Sequence, residues 1–214
     1  LSGMTSPARP WFRLSIEDDD LAQYHSVRIW LAEVTRRMQW MFSQSNVYRV
    51  LHGMYEELGV YGTASCTLLD DYQKGIHLYA HTAGEYALAT NFKGHVDTQY
   101  RNFKKSVISI VREFGIENAS EFVRTAYDRS NYDVEVEIIH AVEPRSDRDP
   151  SKLDSKNMAW RSTYFEAGNN KDLILRDSGF KQFRTLAPRW TVTGQDTYGT
   201  SPGMECLGDV KQLQ

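Results

Sequence analysis

Cysteine is scarce in this chain. Cys66 and Cys206 are the only two in 214 residues, and neither belongs to a CxxC. Two Cys could pair, but nothing around them suggests a disulfide scaffold, and the chain reads as one from a reducing compartment. Long apolar runs are missing as well. No stretch approaches the roughly 20 residues needed to cross a bilayer as a helix, and no secretory pattern opens the chain, so no membrane partner is expected. Charge of one sign is also lacking. The net charge is −3 at pH 7, which supplies no global attraction for nucleic acid phosphates. The motif inventory is equally bare. GxSxG, HExxH, the Walker loop and GxGxxG do not occur, and the six histidines have no metal-ligand spacing. These absences lower the expectation of an enzyme, and neither a cofactor nor a metal is expected.

What is present is a globular composition, with 41% apolar and 12% aromatic residues, enough for a substantial core. Asp18, Asp19 and Asp20 precede a helical pattern. They read as caps and dipole partners rather than metal ligands, because adjacent positions on a helix point in different directions. Val27, Leu31, Val34, Met38 and Met41 form one stripe, predicting a helix over about 21–42. Ser45 or Asn46 is placed to cap a second, with Val47, Val50, Leu51, Met54, Tyr55 and Leu58 on its buried face and Gly59 as the stop. The period then changes to two. Ala64, Cys66 and Leu68 alternate with polar residues, and turns at Lys74-Gly75 and Asn91–Gly94 separate further runs. The expectation is an antiparallel meander of about four strands over 63–103.

Val107, Ile110, Val111 and Phe114 predict a short helix ending at Gly115. Phe122, Val123, Ala126 and Tyr127 predict another, entered at Asn118 or Ser120. Val134, Val136 and Ile138 alternate with Glu135 and Glu137 on a strand. Strands are also expected at 158–166 and 172–176, with a turn at Gly168-Asn169-Asn170. The polar loop 144–154, with Arg145, Asp147, Arg148 and Asp149, is the candidate contact-making segment. His77 and His81 share a strand face, with no further ligands nearby that would make a zinc site. The fold class expected is α+β.

The stretch 188–202, PRWTVTGQDTYGTSP, is unusual. Pro202 suits the first position of a helix, where its missing N–H costs nothing, and Ser201 can cap it. Gly199 allows a sharp change of direction. Trp190 and Tyr198 are placed to wedge the connection against a β layer, although ordinary core packing is the commoner use of such rings. The chain opens at Leu1 and closes at Val210–Gln214 inside a helix that has just begun, so it reads as a fragment of a longer polypeptide.

Several segments in order resemble the portal, or head-to-tail connector, proteins of short-tailed bacteriophages. They are Leu1–Pro7 with Pro10-Trp11-Phe12, Trp30-Leu31, Ser45–Tyr48, Leu58–Ala64, Gly84-Glu85-Tyr86 and Gly94–Thr98 with Arg101. Ile139–Arg145, Arg189-Trp190, Tyr198–Pro202 and Leu207–Lys211 complete the series. The resemblance implies a structural subunit of a ring, usually of twelve, at one capsid vertex of the virion. DNA passes through the ring during packaging and ejection, and assembly takes place in the host cytoplasm. It further implies docking of the terminase motor, the tail adaptor and capsid or scaffold protein, weak non-specific contact with duplex DNA, and no catalysis by the ring itself. On this resemblance residues 1–130 are expected to be wing-like, 131–200 clip-like, and 201–214 the start of a stem helix. The junction or interface residues would be Arg189, Trp190, Tyr198, Gly199, Ser201 and Pro202. The competing readings are a metal-dependent hydrolase using Asp18–Asp20 or Glu135 and Glu137, and a generic protein-binding adaptor.

Overall fold

A computed structural model describes residue 3, residues 5–168 and residues 174–213. The fold is α+β, and the chain forms two compact units. The first comprises Leu1–His81, Thr185–Thr191 and Gly199–Gln214, and the second Thr82–Arg184 and Val192–Tyr198.

In the first unit, Asp18 begins α1 (Asp19–Gln23) by accepting the Leu21 N–H at 3.0 Å. The single helix expected here is in fact two. Tyr24 is extended (ψ 130°) and ends α1, and its carbonyl then accepts the Arg28 N–H at 3.0 Å to open α2 (His25–Gln44). α3 (Val47–Tyr61) buries Val47, Val50, Met54 and Leu58, at the 3-4-4 spacing of one helix face. Asn46 occupies the N-cap position, but its side chain does not cap. Its amide instead donates to the Leu78 carbonyl at 2.7 Å and its oxygen accepts the Leu78 N–H at 2.9 Å, so it pairs with a strand as a backbone unit would. The helix runs past Gly59 and stops at Gly62, whose φ of 71° supplies the left-handed C-cap.

β1 (Ser65–Asp71) and β2 (Gly75–His81) form a hairpin, and β8 (Thr185–Leu186) adds to the other edge of β1, giving the order β2-β1-β8. Asp71 closes the hairpin by accepting the N–H groups of Gln73 and Lys74, which also hold its carboxyl below the usual range. Ala64 just before β1, with Cys66 and Leu78 on the sheet, meets the apolar face of α3 to make the core of the unit. His81 is buried, with Nδ1 at 3.0 Å from Ser65 Oγ and Nε2 at 3.3 Å from Thr67 Oγ1. Both ring nitrogens are therefore used within the hairpin.

The second unit is a five-stranded antiparallel meander of β3 (Tyr86–Thr90), β4 (Val96–Ser106), β5 (Glu135–Pro144), β6 (Trp160–Glu166) and β7 (Ile174–Phe180). The four strands expected as one meander over 63–103 are thus divided between two sheets. Two-residue alternation marks a strand but carries no information about which strand it pairs with. Because β4 pairs with β5, residues on either side of position 130 share one sheet. The expected turn residues Asn169 and Asn170, and Asp172 at the expected start of the last strand, lie outside the described residues. α4 (Val107–Phe114) and α5 (Glu121–Asp128) form where the sequence predicted them, with Gly115 ending the first and Ser120 capping the second through the Val123 N–H at 3.3 Å. Val107, Ile110, Phe114, Val123 and Ala126 pack with Val136, Ile138 and Leu175 into the second core.

The two cysteines differ sharply. Cys66 is fully buried, and that burial pushes its thiol up to about 11, while Cys206 is exposed. The thiolate is the reactive form. A thiol reagent at pH 8 should therefore modify one site per native chain at once, and the second only on unfolding. Immediate reaction of both would mean that the α3–hairpin core is not closed.

Candidate functional site

The junction at 188–202 is built around a close crossing of two backbones in the first unit. Beyond β8 the Pro188 carbonyl accepts the Ala64 N–H at 3.1 Å, Arg189 forms a bridge with Thr63, and the Trp190 N–H donates to the Gly62 carbonyl at 2.8 Å. On the return, the Thr200 N–H donates to the Thr191 carbonyl at 2.7 Å and the Gly199 N–H donates to Thr63 Oγ1 at 2.8 Å. A Cβ on Gly199 would lie 2.3 Å from the Gly62 carbonyl oxygen, and a Cβ on Gly62 would lie 2.2 Å from the Gly199 carbonyl oxygen. No side chain fits at either position. Gly199 has no left-handed φ, so it is required for this close approach rather than for the change of direction expected of it.

Ser201 is completely buried and uses its hydroxyl twice. It donates to the Val60 carbonyl at 2.6 Å and accepts the Met204 N–H at 3.0 Å. It is thus both the cap of α6 (Pro202–Leu213) and a tie to the last turn of α3. Pro202 stands at the first helical position, as expected. Trp190 and Tyr198 are each 46% exposed. Within the second unit, the Tyr198 hydroxyl accepts the Leu88 N–H at 2.9 Å.

The 144–154 loop divides by role. The Arg145 side chain is 6% exposed and donates to Asp177 at 3.1 Å and to the Ser178 carbonyl at 3.2 Å, so it anchors the loop to β7. Asp149 accepts from the hydroxyl and the N–H of Ser151, bonds that hold its carboxyl below the usual range. Asp147 and Arg148 are exposed. Three of the acidic residues considered for hydrolysis have separate partners. Asp18 caps α1, Glu135 lies 3.7 Å from Lys104, and Glu137 accepts from Asn102. Glu121, Glu135, Glu137 and Glu166 do line a cleft of about 870 Å³, where the buried Glu166 accepts the Ser120 N–H at 2.9 Å. Among the described residues, no three of His, Cys, Asp and Glu are placed to hold a metal ion, and no helix is long and apolar enough to cross a membrane.

One cluster escaped the sequence reading. Arg101 lies over Phe103 at 4.3 Å, and Arg176 over Tyr164 at 4.6 Å and Phe114 at 5.2 Å. His140 stacks on Tyr164 at 3.8 Å and 7°. Lys105 pairs with Glu113, and its ammonium is held below the usual lysine range by burial and then by Arg176 and Arg101. The residues come from β4, β5, β6, β7 and α4, and only the register Arg101↔His140, His140↔Tyr164, Tyr164↔Arg176 aligns them. Cation–aromatic contacts of this kind brace the sheet across its strands.

The site is a close backbone packing whose polar groups are used in hydrogen bonds to neighbouring segments. Residues 1–214 match the model of the family described as bacteriophage head to tail connecting protein. The chain belongs to that family. It is 52% identical over 214 residues to the probable portal protein of Bordetella phage BPP-1, covering all of this chain and 39% of that protein. It is 46% identical over 215 residues to the portal protein of Salmonella phage epsilon15, again covering all of this chain and 39% of that protein. The chain therefore spans about two fifths of the length of these relatives. The ordered segments that carried the resemblance contain Gly62, Thr63, Gly199, Ser201 and Pro202. In this connector-family chain those residues build the crossing.

The geometry sets a graded series. Gly199→Ala forces a Cβ against backbone and should cost at least about 2 kcal/mol. Ser201→Ala, which removes a cap and a buried donor, should cost about 1–3 kcal/mol. Gly208→Ala, on the open side of α6 with nothing within 4 Å, should be neutral or stabilising. Urea unfolding followed by tryptophan fluorescence checks the order. Equal stability of all three would remove the crossing from its structural role.

Proposed function

We propose that this chain is part of a portal subunit, one of a closed ring, usually of twelve, set at a single capsid vertex of the virion. The supporting observation is the match to the connector family over every residue of the chain, joined by two relatives that are named as portal proteins. On this reading the ring assembles in the host cytoplasm and encloses the channel for DNA packaging and ejection. It docks a terminase motor, a tail adaptor and capsid or scaffold protein. Residues 1–130 serve as the wing-like part, 131–200 as the clip-like part, and α6 starts the stem. The continuity of β4 with β5 makes the first border a division within one sheet rather than a hinge. The crossing at Gly62 and Gly199 fixes where α6 starts against α3 within the first unit, and the exposed Asp147 and Arg148 are the loop residues available to a partner.

The reading requires no chemistry from the ring itself, since the motor hydrolyses ATP. It also favours weak DNA contact. A genome must slide, and a surface with many phosphate-pairing cations would hold it. At physiological salt, duplex DNA should bind this chain no more tightly than the micromolar range usual for non-specific contact. Nanomolar binding in a filter assay would contradict a conduit. Negative-stain images of the full-length protein should show rings with a central hole, and Gly199→Val should abolish or deform them. Compact particles without a hole in the unmodified protein would overturn the proposal.

A further inference from the structure

α2 is a 20-residue helix, about 30 Å long at 1.5 Å per residue, yet only Thr35 on it is buried. Neither core uses its stripe, apart from Phe42 packed at the margin of the α3 core. Its outer side exposes Ile29, Trp30 and Trp40 at 56%, 61% and 65%. A helix in a globular protein is held mainly by burying one face, and α2 has apolar residues on two sides with neither fully covered.

Beside it runs a groove of about 730 Å³ between the 10–15 segment and the helix, entirely within the first unit. Its lining includes Arg13, His25, Arg28 and Arg36 and no carboxylate. Arg36 has its own partner in Glu33 at 2.8 Å, whereas Arg13 and Arg28 make no ion pair with any described residue. The same chain carries the complement of this groove. Glu17, Asp18, Asp19 and Asp20 are consecutive and exposed. None lines the groove, and none forms an ion pair with a described residue.

We propose that the α2 face and its basic groove are a subunit interface, occupied by the acidic start of α1 from a second copy of this chain. Ala22 of α1 lines the groove, so the acids stand beside it; set against the groove of the next copy rather than their own, they make the contact head-to-tail. Such a contact closes into a ring when its rotation permits, whereas a self-complementary patch would stop at a dimer. The two components do different work. Exposed ion pairs contribute little net affinity, so Asp19 and Asp20 against Arg13 and Arg28 set orientation and encounter. Burial of Trp30 and Ile29 supplies the affinity, consistent with the enrichment of Trp and Arg among residues that dominate interfaces.

This inference rests on the ring reading and deepens it by naming the surface. The test uses the full-length protein, with sedimentation velocity and negative stain as readouts and circular dichroism to verify folding. Because Trp30 and Arg28 are exposed, Trp30→Ala and Arg28→Glu should leave the monomer folded. Each should weaken assembly at least about tenfold, as should Asp20→Arg. Combining Asp20→Arg with Arg28→Glu in one chain should recover much of the loss, because the exchanged charges meet again across the interface. Rings formed by every variant at the unmodified concentration overturn this interface and leave the ring reading standing. An unmodified protein that stays monomeric at high micromolar concentration overturns both.

Discussion

The first unit depends on how closely two backbones approach at Gly62 and Gly199. That approach is what lets Thr63 receive Gly199, Trp190 reach Gly62, and Ser201 reach Val60. Each of these is a hydrogen bond between groups far apart in sequence, and each would be lost if the strands were held a side chain's width further apart. The result is that β8, α3 and α6 share one anchoring point. A buried serine with both hydroxyl functions satisfied then sets where α6 begins.

The second unit is held by different means. An apolar core lies under α4 and α5, and beside it the cations Arg101, Lys105 and Arg176 lie over aromatic rings rather than facing open solvent alone. The same economy recurs elsewhere. His81, Asn46, Glu166 and Arg145 are groups that often carry chemistry, and here each is consumed by a backbone or side-chain partner inside its own unit.

Legibility from sequence followed the range of the forces involved. α4, α5 and the opening of α6 were readable because their signals are local: a 3.6-residue apolar period, a serine cap, a terminal glycine, a proline at the first position. The break at Tyr24 was not readable, because the apolar stripe of α2 runs straight into it and the interruption is a single backbone angle. Gly59 and Gly62 are equivalent as letters, and only the left-handed φ at Gly62 separates them. Ser45 or Asn46 was expected to cap α3. Ser45 accepts the Val47 N–H at 3.4 Å, while Asn46 pairs with Leu78, a strand partner 32 residues away.

Apart from the break between α1 and α2, the sequence by itself determined the helices, the alternating strands, the scarcity of reactive groups and the ordered segments that place the chain among the connectors. Only the tertiary structure decided which strands share a sheet, why Gly199 must be glycine, and which cations end up over which rings. The reason is that periodicity and capping are settled within a few residues of chain. Sheet partnership and close backbone approach are settled by what distant segments leave room for.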